Sequence, residues 1–114
     1  MRGVNRSIVV GRVGSDPELR SSKAGNPWCT FSVATDRRRK VKDQWVEETD
    51  LHRVKVFGRE AEACQRFLRR GSMVGVEGSM NYEKWKDEDG RNRMTPALLA
   101  DRVSFLTDLR EASV

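Results

Sequence analysis

The chain has 114 residues, with 22 Lys and Arg against 17 Asp and Glu, a formal charge of +5 and a pI near 9.7. That is the length of one domain with one core, and the basic balance favours a polyanionic partner, nucleic acid ahead of anionic membrane. No stretch approaches the ~18 apolar residues of a membrane span, and Met1-Arg2-Gly3-Val4-Asn5 has no signal-peptide core, so a cytoplasmic chain with no membrane partner is expected.

Residues 4–14 are β-branched and glycine-ended and read as a first strand, with Gly11 at a bulge or bend. Ser15-Asp16-Pro17-Glu18 is a turn signal, and residues 21–27 read as a loop. Residues 28–35 alternate, with Cys29, Phe31, Val33 and Thr35 on one face. Phe31 is expected in the core, and the pattern leaves Trp28 open between surface, interface and ligand. Residues 36–43 carry Arg37, Arg38, Arg39, Lys40 and Lys42 between two strands. The bland reading is a solvated connector; the functional reading, which we favour, is a phosphate-gripping arm.

Residues 44–57 read as a third strand. Leu51, Arg53, Lys55 and Phe57 fall on one face, and His52, Val54 and Val56 on the other. Two cations between an apolar residue and an aromatic suit phosphates and bases. Trp45 receives no assignment. Residues 59–70 are the one good helix candidate, with Ala61, Cys64, Phe67 and Leu68 as its apolar stripe and Gly71 as its stop. Residues 73–80 read as a fourth strand and 81–93 as a hairpin turning at Asp87-Glu88-Asp89-Gly90. Residues 95–106 read as a fifth strand, with Pro96 marking an edge or strand entry. Trp85 lies among Lys84, Lys86, Arg91 and Arg93, which favours base stacking over packing on another subunit, while Tyr82 has the opposite parity.

The order of strands and helix predicts an all-β OB-fold, a five-stranded Greek-key barrel with one helix between strands 3 and 4. Catalytic signals are sparse. The lone His52 faces the apolar side of its strand, and no Gly-rich phosphate loop or nucleophile elbow is visible. Cys29, Cys64 and His52 lack zinc-ligand spacing, so no metal, cofactor or enzymatic activity is expected. Both cysteines are expected to be reduced and buried.

Taken in order, Arg2-Gly3-Val4-Asn5, Val10-Gly11-Arg12-Val13-Gly14, Asp16-Pro17-Glu18-Leu19-Arg20, Phe31-Ser32-Val33-Ala34-Thr35, residues 48–54 and 56–58, Arg70-Gly71-Ser72, Val76-Glu77-Gly78 and Lys84-Trp85 resemble the bacterial single-stranded DNA-binding protein family. The resemblance covers about Arg2 to Leu106. It implies an OB domain, here residues 1–107, that assembles as a homotetramer. It also implies sequence-independent binding and protection of single-stranded DNA in replication, recombination and repair. By resemblance Phe57 and Trp85 fall on stacking positions. Arg53, Arg59, Arg70 and Lys84 fall on or beside basic groove positions, Arg6 resembles a backbone contact, and His52 falls on a subunit-interface position. With Lys55 and the arm residues Arg37, Arg38 and Arg39, these make the expected binding set.

Departures from the family pattern are informative. Leu51 stands where the family usually has tryptophan, Arg37, Arg38 and Arg39 occupy a region that often carries another, and Glu83 and Asn81 replace arginines before Trp85. These exchanges predict a shift from stacking towards electrostatics and a steeper salt dependence. Residues 108–114 show neither the family's linker nor its acidic tip, so no tail-mediated recruitment of repair or replication enzymes is expected. Two alternatives stay open: a tail-less primosome-type OB protein acting mainly through protein contacts, and an RNA-binding OB module.

Overall fold

In a computed structural model, residues 2–106 are described; the expected short end at 108–114 lies outside them. The elements run β1 (Ser7–Val13), β2 (Glu18–Ser21), β3 (Pro27–Val41), β4 (Gln44–Phe57), α1 (Arg59–Phe67), β5 (Met73–Lys86) and β6 (Asn92–Phe105). The sheet order is β1-β5-β6-β4-β3-β2, and a further β1–β3 pairing closes β1, β3, β4, β5 and β6 into a barrel. The five expected strands are these five. The short β2, which the sequence reading divided between a turn and a loop, pairs with β3 outside the closed ring. In chain order the helix therefore lies between β4 and β5, one strand later than expected.

Closure needs glycine at two crossings. Gly11 lies where β1 leaves β5 for β3, and a Cβ there would stand 2.2 Å from the Ala34 carbonyl oxygen. Gly78 lies at a register shift between β5 and β6, where a Cβ would stand 1.9 Å from the Leu99 carbonyl oxygen. Bulges of this kind bend a strand enough to close a small barrel. Asn5 staples the chain beside the second crossing, donating from Nδ2 to the Met80 carbonyl and accepting the Met80 N–H at Oδ1.

Alternation fills the interior as the sequence predicts: Val9 and Val13, Cys29, Phe31 and Val33, Val54 and Val56, and Val74 and Val76 all point inward. Ala61, Cys64 and Leu68 close one end of this core. Burial pushes the Cys29 thiol up to about 11 and the Cys64 thiol up to about 12, so both are protonated at neutral pH. Two details of the expected helix need correction. It ends at Phe67, and Phe67 is half exposed. At about 100° per residue Phe67 stands well off the Ala61–Cys64–Leu68 stripe, and it meets Phe105 edge-on with ring centroids 6.0 Å apart. Arg69 and Arg70 lie beyond the last turn, although Arg69 Nη1 still donates to the Gln65 and Leu68 carbonyls.

Both long hairpins extend well past the barrel. β3 and β4 pair without interruption from Trp28–Phe57 out to Val41–Gln44, so the basic connector is an ordered two-stranded arm. Its turn is Lys42-Asp43, with φ of +49° and +63°, the twist-matched hairpin geometry without glycine. β5 and β6 pair out to Lys86–Asn92. Pro96 sits opposite Tyr82 beyond the short β4–β6 contact at Leu98 and Leu99, where the other side of β6 needs no amide donor.

Candidate nucleic-acid interface

Pairing register assembles a groove on the outer face of β2, β3 and β4. Facing pairs Trp28–Phe57, Thr30–Lys55 and Ser32–Arg53 point outward together, and Arg20 and Glu18 of β2 lie beside Trp28 and Thr30. Ser15 and Asp16 complete a cleft of about 460 Å³. Trp28 and Phe57 form one aromatic surface, with ring centroids 6.5 Å apart and planes tilted by 33°. Phe57 is 54% exposed, and Arg53 is exposed with no carboxylate partner among the described residues. The sequence left Trp28 open between surface, interface and ligand. The signal that finds it is parity, since it alternates against the buried Cys29 and Phe31.

Lys55 is in a different state. Its Nζ lies 2.5 Å from Glu83 Oε1, with the two side chains only 21% and 26% exposed. Glu83 and Trp85 share a face of the β5–β6 hairpin, so this pair ties the Trp85 side of the hairpin to the groove floor. Trp85 is 50% exposed and is oriented by donating from Nε1 to Thr95 Oγ1 at 2.8 Å. Lys84 and Tyr82 lie on the opposite face of that hairpin. Lys84, Lys86 and Arg91 have no ion-pair partner among the described residues, whereas Arg93 is engaged by Asp87 at 2.9 Å. Asp87 also accepts the N–H groups of Arg91 and Asp89. The Arg91 amide first, and Arg93 second, hold its carboxyl below the usual carboxylate range.

The arm divides by face. Arg37 and Arg39 share a face with Glu48 and Asp50, and Arg37 contacts both carboxylates at 2.8 Å while Arg39 reaches Glu48 at 2.6 Å. Arg38 lies on the other face, which continues the groove parity, with its guanidinium 5.0 Å from the centre of the Trp45 ring. Leu51 is on the groove face, 67% exposed, in space that the absent side chain of Gly14 leaves open.

The remaining predicted residues are dispersed. Arg59 opens α1 and is exposed, just beyond Phe57. The Arg70 amide donates to Asp16 Oδ1, which brings Arg70 to the Asp16 end of the cleft. Arg6 lies elsewhere, bound to Asp101 at 2.6 Å and near Glu77, on the side of the barrel formed by β1, β5 and β6. His52 points to the barrel mouth, where its Nε2 is 2.8 Å from Thr35 Oγ1.

Comparison with known proteins agrees with this architecture. The model of the single-strand binding protein family matches residues 4–106. A single-stranded DNA-binding protein of Xylella fastidiosa is 40% identical over 106 residues, covering 92% of this chain and 65% of the relative. One from Treponema pallidum is 39% identical over 106 residues, covering 93% of this chain and 60% of the relative. The chain thus spans less than two thirds of the length of these curated relatives. A Plasmodium falciparum SSB solved in complex with ssDNA superposes with a TM-score of 0.85 at 26% identity, covering 94% of this chain and 98% of that one.

Proposed function

The chain belongs to the single-strand binding protein family, and from that premise we propose that it coats and protects single-stranded DNA, without sequence preference, in replication, recombination and repair. One observation carries the reading: the exposed Trp28–Phe57 surface stands on one face of the sheet with Arg53, which has no carboxylate partner among the described residues. Unstacked bases need aromatic platforms and the backbone needs cations, and sequence-tolerant binding follows because every base has a π-face. Trp85 adds a second platform from the β5–β6 hairpin, joined to the floor through Glu83 and Lys55.

The protein acts by binding, not by catalysis, in the cytoplasm with the nucleoid. No helix among the described residues is long and apolar enough to cross a membrane. It works as a homo-oligomer, a homotetramer by family resemblance. Ile8 and Val10 on the outward face of β1 are 68% and 54% exposed, which supports burial against other copies, and by the same resemblance His52 falls at a subunit-interface position. The test is titration with dT oligonucleotides of increasing length, following tryptophan fluorescence at low and high salt. Quenching that saturates in steps with length is expected; preference for duplex, or for RNA over DNA, would refute the reading.

A further inference from the structure

Trp45 sits next to the arm's turn and is 61% exposed. Among the described residues the arm is a two-stranded ribbon with no further strand paired to it, and neither face offers Trp45 a core. Its two faces are nevertheless unlike. One is closed by the Arg37 and Arg39 ion pairs to Glu48 and Asp50, at 2.6–2.8 Å, which brace the ribbon. The other presents Asp36, Arg38 and Lys40 opposite Thr49, Glu47 and Trp45. Asp36 is taken by Arg12 and Thr49, and Lys40 stands 4.0 Å from Asp43. Arg38 faces Glu47 directly across the ribbon, yet its guanidinium lies over the Trp45 ring. The unbroken β3–β4 register puts Trp45 on the same strand face as Leu51, Arg53 and Phe57.

We infer that Trp45 and Arg38 form a nucleobase-stacking subsite at the tip of the arm, continuous with the groove on β2, β3 and β4. The inference rests on the single-stranded DNA reading and extends its path. The indole offers a π-face, and the guanidinium plane can stack on the base or turn to a phosphate. Leu51 interrupts the aromatic path midway, and Trp45 restores it about 40 Å from Phe57 at roughly 3.3 Å per strand residue. A strand must be long to reach both ends.

The test uses the full chain with dT strands of about 5 and about 30 nucleotides, one near the lower end of an OB-fold's footprint of about 4–16 nucleotides and one well beyond it. W45A is expected to weaken binding of the long strand by roughly ten-fold and to leave the short one nearly unchanged, with W45F restoring most of the loss. In W28F/W85F, where Trp45 is the only tryptophan, its emission is expected to fall at saturating long dT. That signal reads the ring itself and separates stacking from a role in arm stability. R38A should weaken the long strand as well. Unchanged long-strand affinity in W45A, or unquenched Trp45 emission with DNA bound, overturns the subsite. If the unaltered chain binds neither strand, the single-stranded DNA reading falls and this one with it; if it binds while Trp45 stays silent, only this one falls.

Discussion

The two long hairpins leave the same barrel and use their charges in opposite ways. Residues 36–49 form the arm with the densest run of cations in the chain, yet Arg37 and Arg39 are held by Glu48 and Asp50. Residues 81–93 carry a less conspicuous charge set, and there Lys84, Lys86 and Arg91 have no counter-ion among the described residues. Carboxylates explain the difference. In the arm Glu48 stands directly across from Arg37, and Asp50 one pair along on the same face, whereas in the second hairpin Asp87 is committed to its own turn and to Arg93. A count of basic residues is therefore not a count of cations ready for phosphate.

The largest expected effect breaks one hairpin and spares the other. Gly78→Val drives a side chain into the Leu99 carbonyl at the root of the β5–β6 hairpin. Thermal unfolding should show loss of several kcal/mol, since neither backbone can yield. Next comes the aromatic content of the site. Trp85→Ala should cost about 1–3 kcal/mol of dT affinity, read by titration at fixed salt. Phe57→Ala should cost a similar amount, because it removes half of the aromatic surface shared with Trp28.

Salt dependence sharpens the comparison of charges. Each phosphate neutralised on single strands adds about 0.7 to the log–log slope of affinity against salt. Lys86→Ala should lower the slope by about that amount, and Arg37→Ala by much less, because Arg37 is already neutralised. Glu83→Gln should raise it, by freeing Lys55 for the strand. These pairings also bear on the expectation of a steeper slope for the whole chain, which counted Arg37, Arg38 and Arg39 as charge gained on the arm. Equal slopes for Arg37→Ala and Lys86→Ala would dissolve the contrast between the hairpins.

The smallest effect is on pH. The folded-state carboxyl of Asp87 titrates below its ordinary value of 3.8, held there first by the Arg91 amide and then by Arg93. A depressed carboxylate contributes stability that is complete above the unfolded value and is lost as pH falls through the folded one. The protection of the Asp89 and Arg91 amides, measured against their intrinsic exchange rates at each pH, should therefore fall below about pH 3.8, and Asp87→Asn should remove that dependence. In the arm's turn, built on Lys42 and Asp43, no carboxylate among the described residues accepts a turn amide, and it serves as the internal control.

Much of this was legible because strands alternate. Arg53 and Phe57 outward, Val54 and Val56 inward, and the opposite parity of Tyr82 and Trp85 follow from residue number alone once a strand is recognised. The short β2 escaped because it has no buried side chain and therefore no hydrophobic period. Phe67 misled for a related reason, since a stripe drawn too wide admits a residue that the helix turns towards solvent.

The sequence by itself determined the strand faces, the OB-fold order, the family and the aromatic and basic residue types available for binding. Those are local or periodic properties, fixed by steric alternation along one segment. Only the tertiary structure decided which cations lack a counter-ion among the described residues, that Trp28 joins Phe57, that Glu83 meets Lys55, and that Arg38 lies over the Trp45 ring. Each of these depends on which strands lie side by side and in what register. Charges pair and rings meet across space, and that neighbourhood is set by barrel closure, not by distance along the chain.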